Sequence, residues 1–253
     1  MATAVHRKTA RGVNSRQDVW GFLDGTHVRV CRPGEDQQEL YSRYKRYHSL
    51  KYQAVVTPDG IITHLGGPFS GRRHDQRMVT ESKLRDYLNR HSRRANGEML
   101  FIYGDEGYQR LDPVHAPYRH LRLSPEEVWV NGDMQRPRLC VEWAFGYISN
   151  HWSFVNLYQK LRIGLMPVGI YFPVIALFSN LQMCFQRNCP TRSFYQVAGP
   201  NIEQYLTPLE VWEQSRMVFT VPECFVAREN YMPEEEEGEE LPEEQELWME
   251  IEE

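Results

Sequence analysis

The sequence predicts an α/β fold in which a mixed sheet carries helices on both faces. Two observations lead to this prediction. Three strand-like segments come first and one short strand follows later, whereas the segments around and after that strand have the spacing of amphipathic or buried helices. The 253 residues are 41% hydrophobic and include 14 tyrosines, 11 phenylalanines and 6 tryptophans, which suffices for a packed core.

Three antiparallel strands are predicted in the N-terminal third. The first is the apolar run "WGFLDGTHVRV" at residues 20–30. A polar, tyrosine-rich connection follows at 34–51, and residues 52–67 contain two apolar runs on either side of "TPDG". Because proline, aspartate and glycine in that order are typical of a tight turn, the second and third strands are predicted to form a hairpin.

One helix and a fourth strand are predicted next. Residues 72–91 carry apolar side chains on roughly one face and charges elsewhere, which predicts a single helix. Residues 99–103, "MLFIY", read as a short buried strand that ends at a Gly-Asp turn. A sheet in which the first and fourth strands lie side by side is the ribonuclease H-like one, so we expect that fold with a mixed five-stranded sheet.

Two more helices are predicted after an irregular, proline-containing segment at 110–135. The first covers residues 136–152, and the second is the apolar segment 166–187. The longest apolar run in that region has 16 residues and contains two prolines, which is short for a membrane span. We therefore expect a buried helix and no membrane contact. The core-facing side chains predicted for the helix at 136–152 are Leu139, Trp143 and Tyr147 (or Gly146).

Charge divides the chain into segments. Residues 233–253 contain 12 glutamates and no lysine or arginine, and removing those charges from the net charge of −5 leaves +7 for residues 1–232. A basic body is typical of proteins that bind a polyanion. The acidic tail is predicted to be disordered. We expect a basic, solvated N-terminal extension, a sheet-and-helix domain, a C-terminal extension and the tail, at 1–19, 20–190, 191–232 and 233–253.

The cysteines indicate a reducing, intracellular environment. They are scattered along the chain and form no CxxC pair, so neither a zinc site nor a disulfide framework is expected. They are Cys31, Cys140, Cys184, Cys189 and Cys224.

Four acidic residues at the edges of the predicted elements are candidates for one site: Asp24, Asp75, Asp105 and Glu142. Each also has an ordinary structural explanation. Asp75 and Asp105 suit a helix cap or a tight turn. Glu142 lies between Val141 and Trp143 and is expected to be buried or half-buried, in which case it needs a cation or hydrogen bonds.

An ion pair with Arg138, one turn earlier in the same helix, is the structural alternative for Glu142. The functional interpretation is a metal site, because clustered carboxylates repel one another unless a cation neutralises them. Oxygen-rich clusters favour hard divalent cations such as Mg²⁺ or Mn²⁺. Two such ions suit phosphodiester cleavage, since one activates the attacking hydroxyl and the other stabilises the leaving oxygen. Gly25, which follows Asp24, is expected to leave room for an ion or a phosphate, although a simple β-bulge would look the same.

Five segments in order resemble the DDE superfamily endonuclease domain of PIF/Harbinger-type transposases, which is related to bacterial insertion-sequence transposases. These segments are "GFLDGTH", "YSRYKRYHSLKYQAVVTPDG", "GPFSGRRHDQRM", "YGDEGY" and "VEWAFG". The resemblance extends from about Trp20 to about Cys189. It implies a ribonuclease H-like fold, cleavage and joining of DNA strands with two Mg²⁺ or Mn²⁺ ions, and a nuclear location.

The resemblance also assigns roles to the four acids. Asp24 is similar to the family's first acid, and Glu142 to its last. The middle acid stays open between Asp105, which fits by position in the fold, and Asp75, which fits the family's His-Asp pattern. His74 with Asp75 is also similar to the dyad of metal phosphohydrolases, but the predicted strands disfavour that all-helical family.

Basic and aromatic residues near the acids are candidates for nucleic-acid contacts. Lys45, Arg46, Arg72 and Arg73 suit DNA phosphates, although solvated loop charges would look the same. Four tyrosines suit stacking on unpaired bases, but packing on the strand faces is the favoured interpretation. These tyrosines are Tyr41, Tyr44, Tyr47 and Tyr52.

Two features differ from the family pattern. Complete members carry a helical DNA-binding region ahead of the catalytic domain, and only some twenty residues precede the first strand here, so we expect a separate DNA-binding protein to supply that function. "FSNLQMC" stands where the family often has Leu-His-Asn. The alternative function is therefore a domesticated or truncated descendant without catalysis, which binds DNA or a partner protein; an oligomer is compatible with either.

Overall fold

The computed structural model describes residues 1–9, 18–186, 189–206 and 219–220. The predicted acidic tail therefore lies outside the described residues. The strands are β1 (Val19–Arg29), β2 (Tyr41–Ser42), β3 (Tyr47–Val56), β4 (Ile62–Ser70), β5 (Phe101–Gly104), β6 (Val114–His115) and β7 (Phe219–Thr220). The α-helices are α1 (Ala2–Thr9), α2 (Gln37–Leu40), α3 (Asp75–Glu81), α4 (Leu84–His91), α5 (Pro125–His151), α6 (Val168–Phe185), α7 (Pro190–Tyr195) and α8 (Ile202–Leu206).

The strands form one mixed sheet with the order β6-β5-β1-β3-β4-β7, and β2 pairs with β3 off this path. β3 runs antiparallel to β1 and β4, whereas β5 is parallel to β1. This arrangement, with β1 beside β5, confirms the predicted α/β class and the mixed, ribonuclease H-like sheet. The described sheet has seven strands rather than five because β2, β6 and β7, each two residues long, are too short to give a hydrophobic pattern.

Alternation along β1 directs side chains to cores on the two faces of the sheet. Phe22 belongs to the larger core, which includes residues of α1, α5 and α6. Leu23 belongs to the smaller core, which includes residues of α3 and α4. Because neighbouring strand residues point to opposite faces, both faces of the sheet are covered by helices, as predicted.

The strand register brings Asp24 to the end of β5. Leu23 pairs with Gly104, the last residue of β5, in parallel orientation. Asp24 follows Leu23 within β1 and Asp105 follows Gly104 at the end of β5, so the register places the two aspartates next to each other where β5 ends. On its other side, Asp24 is opposite Ala54 of β3.

The prediction of one continuous helix at 72–91 was wrong, because this segment forms two helices. α3 ends at Glu81 and α4 begins at Leu84. Lys83 between them has φ 54°, in the left-handed region that breaks a helix. Leu84 and Leu88 of α4 nevertheless remain fully buried, as the apolar pattern requires.

Helix α5 begins 11 residues earlier than predicted, so the irregular segment expected at 110–135 was wrong from Pro125 onward. Ser124 and Glu127 form a reciprocal capping box at its start, and a proline occupies the first turn. Pro137, the second residue of the predicted helix, lies in the interior of the observed one. The buried face is also rotated by one residue from the predicted face: it contains Cys140, Val141, Ala144 and Ile148.

The N-terminal segment differs from the solvated extension that was expected. Ala4 and Val5 of α1 are buried in the larger core. The segment boundaries given above otherwise remain predictions. In the described part of the chain the four cysteines are free, and Cys224 lies outside it.

Helix α6 is only partly the buried helix that was expected. Within the described residues it alone is long and apolar enough to cross a membrane by length and composition, and 44% of it is buried in the protein. Asn180 on its buried face accepts a hydrogen bond from the Ile62 amide (2.9 Å) and donates one to the Ile62 carbonyl (2.8 Å). Ile170, Val174 and Phe178 are exposed on its other face. The expectation of no membrane contact stays a prediction.

Candidate active site

Asp24 lies in the middle of β1 with most of its carboxylate removed from solvent. Its Oδ1 accepts a hydrogen bond from the Gly25 amide at 2.7 Å, and its Oδ2 lies 3.2 Å from Nη1 of Arg138. Burial, together with the negative charges of Asp105 and Asp75, raises the pKa of Asp24 to about 6, although the Gly25 amide and Arg138 act in the opposite direction. The position therefore concentrates negative charge.

Asp105 follows β5 and faces the same edge. Its Oδ1 accepts a hydrogen bond from the Gly107 amide at 2.8 Å, so it also makes the tight turn that its sequence context suggests. Burial and the nearby Asp75 raise the pKa of Asp105, and this rise is opposed by the Gly107 amide, Arg138 and Lys51. The two aspartates therefore interact electrostatically with each other, with Asp75 and with the same arginine.

Asp75 is the first residue of α3, but it does not cap the helix. His74 is the N-cap and accepts a hydrogen bond from the Gln76 amide. The Asp75 carboxylate instead lies against Gly25 and Gly107: a Cβ at either glycine would come within 2.8 Å of one of its oxygens. The space at Gly25, which was expected to admit an ion or phosphate, is therefore filled by Asp75 and by Lys51, whose Cε is also close.

Glu142 differs from its expected environment. Its side chain is 46% exposed, and its Oε1 lies 2.9 Å from Nη2 of Arg138. The expectation of a buried or half-buried carboxylate among apolar neighbours was wrong, because α5 turns Val141 rather than Glu142 toward the core. The ion pair with Arg138 is present. Since Arg138 also contacts Asp24, one guanidinium joins the first and last acids of the proposed set.

Two cations complete the cluster. Arg138 had been considered only as a partner for Glu142, and Lys51 had not been considered at all. The Lys51 side chain is 9% exposed, and its Nζ lies 2.7 Å from Oδ1 of Asp75. The same ammonium donates a hydrogen bond to the carbonyl of Arg73 at 3.2 Å. The sequence signal for Lys51 was a lysine between the apolar residues Leu50 and Tyr52.

Tyr108 and Gln53 form the buried wall behind the aspartates. The Gln53 amide donates a hydrogen bond to the Tyr108 hydroxyl at 3.1 Å. Burial, with the charges of Asp75 and Asp24, raises the pKa of Tyr108 well above its usual value, so this phenol stays neutral. Gly104 is required before Asp105, since a Cβ there would lie 2.6 Å from the Tyr108 ring.

The four basic residues proposed to contact DNA fall into two pairs. Arg72 and Arg73 form ion pairs with Glu39 and Glu81 respectively. Lys45 and Arg46 are exposed in the turn between β2 and β3, where the structure gives them no ion pair with any described residue. Burial, then Lys51 and then Lys45 lower the pKa of His27 in β1, so Lys45 acts electrostatically on the strand that carries Asp24.

The tyrosines in the same region have different surroundings. Tyr52 is buried, stacks on Phe172 and donates a hydrogen bond to the Gly169 carbonyl. Tyr47 lies beneath the Arg29 guanidinium. Tyr44 is 86% exposed, and Tyr41 is 37% exposed. Packing therefore explains Tyr52, whereas Tyr44 is available to a ligand.

A comparison with protein families matches residues 23–172 to the model described as DDE superfamily endonuclease. This segment covers more than half of the chain and contains all four acids. The chain belongs to the DDE superfamily endonucleases. Searches of curated proteins and of solved structures gave no match. The family assignment confirms the DDE endonuclease domain predicted from the five sequence segments.

DDE endonucleases act on DNA and generally use divalent metal ions, and the donor chemistry at this edge of the DDE domain fits such an ion. Burial, and after it the charge of neighbouring carboxylates, raises the pKa of Asp24 and of Asp105, and oxygen ligands suit Mg²⁺ or Mn²⁺. Among the described residues, however, no three His, Cys, Asp or Glu side chains are placed to hold an ion as they stand. The carboxylates of Asp75 and Glu142 are turned to Lys51 and Arg138 instead.

Proposed function

We propose that this DDE endonuclease cleaves and joins DNA strands with two Mg²⁺ or Mn²⁺ ions held by Asp24, Asp105, Glu142 and Asp75. One observation carries the proposal: aspartates from β1, from the start of α3 and from the end of β5 meet at a single sheet edge, where burial and mutual repulsion raise the pKa of Asp24 to about 6. Such crowding of like charge is typical of functional sites.

The protein residues have distinct roles in this mechanism. Asp24, Asp105, Glu142 and Asp75 would hold the ions, which would supply a lowered pKa for the attacking water or 3′-hydroxyl and charge stabilisation for the leaving oxygen of the phosphate. The Gly25 amide donates a hydrogen bond to Asp24, and the Gly107 amide donates one to Asp105. These two bonds fix the orientation of both carboxylates. Arg138 holds the other oxygen of Asp24 and one oxygen of Glu142, so it must release at least one of them for both acids to bind an ion.

The finer assignments follow from the same proposal. The chain is a PIF/Harbinger-type enzyme that works in the nucleus, and Lys45 and Arg46 contact the DNA backbone near the acids. Arg72 and Arg73 contribute less, because glutamates already pair with them. A separate DNA-binding protein supplies target recognition.

A nicking assay tests the proposal. The purified chain is incubated with supercoiled plasmid and Mn²⁺, and Asp24→Asn and Asp105→Asn are each compared with Asp86→Asn. Asp86 is an exposed aspartate of α4 and serves as the matched control. We expect nicking by the wild type and the control, and loss of at least a hundredfold in the two site variants. Equal nicking by the wild type and Asp24→Asn would show that the activity does not come from this site.

A second candidate function is supported by the internal cations. Lys51 and Arg138 already neutralise part of the carboxylate charge, as in a chain that binds DNA or a partner protein without catalysis. In that case DNA binding is sensitive to salt but indifferent to Mg²⁺ and to Glu142→Ala. Calorimetric Mg²⁺ binding that is abolished by Asp24→Asn would reject this function and favour the nuclease.

A further inference from the structure

Helix α6 carries an apolar stripe on the face that is not packed against the protein. The stripe consists of Ile170, Val174, Leu177 and Leu181, which follow one another at intervals of four, three and four residues. On an α-helix this spacing places all four side chains within an arc of about 60°, opposite the buried face. The first three are exposed, and Leu181 is partly exposed. The α6 stripe therefore has the spacing of a seam between two helices, but it is open to solvent.

The apolar surface around the α6 stripe is large for a monomer. Seven apolar side chains of α6 and of the turn before it are each 37% to 70% exposed: Leu165, Met166, Ile170, Val174, Leu177, Phe178 and Phe185. With about 150–220 Å² for each residue when fully exposed, these fractions leave roughly 700 Å² on one copy. The largest apolar patch on a typical monomer is about 300–600 Å². Full cover by a second copy would remove up to roughly 1,400 Å² from water, which lies within the range of about 1,200–2,000 Å² for stable interfaces.

The composition of α6 favours a protein partner over a lipid surface. Val168–Phe185 contains no Asp, Glu, Lys or Arg, whereas a helix that lies on a membrane typically carries Lys and Arg on its polar face. A position across a membrane would separate Asn180 from Ile62, to which it is joined by two hydrogen bonds. An apolar seam without charges instead suits another helix with the same kind of seam.

The α6 stripe is complementary to a second copy of itself in antiparallel orientation. Its N-terminal half holds the β-branched Ile170 and Val174, and its C-terminal half holds Leu177 and Leu181. A two-fold axis midway between Val174 and Leu177 places Ile170 opposite Leu181 of the second copy. The same axis places Val174 opposite Leu177 of the second copy. Each layer then joins one β-branched side chain to one leucine, which keeps the packed volume even along the seam. A parallel pair would join each residue to its own copy and make the layers unequal.

We propose that α6 forms the interface of a two-fold symmetric dimer of this chain, in which the two α6 helices pack antiparallel through the α6 stripe. Phe178 and Phe185 are exposed on one side of the stripe and extend the apolar contact. Because the same surface is used by both copies, the contact closes at two chains. The dimer should persist at high salt, since α6 contributes no ion pair that salt could screen.

Sedimentation velocity of the full chain at roughly 1–100 µM tests this proposal. We expect the wild type to sediment as a dimer. Val174→Glu and Leu177→Lys should each raise the dissociation constant at least tenfold, because each buries a charge against an apolar side chain of the second copy. Val128→Glu is the matched control at an exposed position of α5, and it should remain dimeric. All three positions are exposed in a single chain, so thermal unfolding followed by circular dichroism should show folded monomers.

The double variant Val174→Glu with Leu177→Lys tests the antiparallel orientation. In the proposed dimer, the new carboxylate of each copy faces the new ammonium of the other copy, so the double variant should recover dimerisation relative to both single variants. In a parallel pair, each new charge would face its own copy, and like charges would repel. Recovery therefore distinguishes the antiparallel seam from any parallel arrangement.

Four results would overturn the proposal. They are a wild-type chain that stays monomeric at about 100 µM, a dimer that Val174→Glu leaves intact, no recovery in the double variant, and occupation of the stripe by something else. Flotation of the wild type with phosphatidylcholine–phosphatidylserine vesicles that is lost in Val174→Glu would assign the α6 stripe to a membrane. A monomeric wild type whose unfolding midpoint falls in Val174→Glu would assign the stripe to another part of the same chain.

Discussion

Arg138 bridges Asp24 and Glu142. Its Nη1 lies 3.2 Å from Oδ2 of Asp24 on β1, and its Nη2 lies 2.9 Å from Oε1 of Glu142 on the same helix α5. A single cation therefore occupies the position between the two acids that the family resemblance assigns as the first and last metal ligands.

Asp24→Asn should stabilise the metal-free protein at neutral and alkaline pH. The pKa of Asp24 is about 6 in the folded chain, against an ordinary aspartate value of 3.8. The folded state therefore keeps a proton that the unfolded state releases, and stability is lost as pH rises through 6. The difference between these two pKa values corresponds to about 3 kcal/mol of folding stability. The free energy of unfolding of Asp24→Asn at pH 8 should therefore be larger than that of the wild type by up to about 3 kcal/mol.

Denaturant unfolding in the presence of a chelator, from pH 3.5 to pH 8, measures this difference. The stability difference should shrink toward zero below the ordinary aspartate pKa of 3.8, because the carboxyl is then protonated in both the folded and the unfolded state. Asp86→Asn is the control, and its effect should not follow this pH profile. A stability gain for Asp24→Asn that stays constant with pH would contradict the raised pKa.

Arg138→Gln should strengthen metal binding. The substitution removes the cation that competes with an ion for Asp24 and Glu142, and an effect on the order of tenfold in Kd corresponds to about 1.4 kcal/mol. Calorimetric titration with Mn²⁺ measures this change. Arg72→Gln is the matched control, because the ion pair that the structure gives Arg72 is an exposed one with Glu39 and not with Asp24 or Glu142. Weaker Mn²⁺ binding by Arg138→Gln would mean that Arg138 supports the site rather than competing for it.

Lys51→Met should destabilise the fold and raise the pKa of His27. Removing one partner of a largely buried ion pair leaves Asp75 uncompensated, at a cost of about 3 kcal/mol. Burial lowers the pKa of His27 to about 4, and Lys51 makes the next largest contribution. NMR titration of His27 and denaturant unfolding measure the two effects. Lys160→Met, at an exposed lysine, should change neither, and an unchanged His27 pKa in Lys51→Met would contradict the structure.

Asn180→Ala should destabilise the protein by about 2–4 kcal/mol, because it leaves the buried amide and carbonyl of Ile62 without their side-chain partner. The Asn180 amide also donates a hydrogen bond to the Tyr205 hydroxyl. Tyr205→Phe removes only that acceptor and should have less than half the effect. Urea unfolding of both variants measures this. Equal losses of unfolding free energy in the two variants would show that the hydrogen bond from Asn180 to Tyr205 of α8 contributes more than the hydrogen bonds from Asn180 to Ile62 of β4.

Local chemistry explains which elements could be predicted from the sequence. The hairpin was correct because Thr57 and Asp59 hydrogen-bond within the turn and Gly60 adopts φ 82°. The start of α5 was also available from the sequence, since Ser124 and Glu127 have the spacing of a capping box, but the prolines within residues 110–135 suggested irregular structure. The break at Lys83 has no such signal, because it follows from how α4 packs on the sheet.

The site could be predicted only in part, for a similar reason. The proximity of Asp24 and Asp105 follows from parallel pairing of two strands, which a predicted strand order supplies. The contact between Lys51 and Asp75 joins β3 to α3 and depends on the tertiary fold. The orientation of Glu142 depends on the rotation of α5 by a single residue, and hydrophobic periodicity does not determine a helix face that closely.

The most direct test of the proposed metal site is a crystal structure of the chain with Mn²⁺, with anomalous scattering used to locate the metal. We predict an anomalous peak bonded to carboxylate oxygens of both Asp24 and Asp105, with Arg138 no longer bridging Asp24 and Glu142. An absence of any peak at these aspartates at saturating Mn²⁺, with the Arg138 bridge intact, would contradict the proposal that this edge of the sheet is a metal-dependent active site.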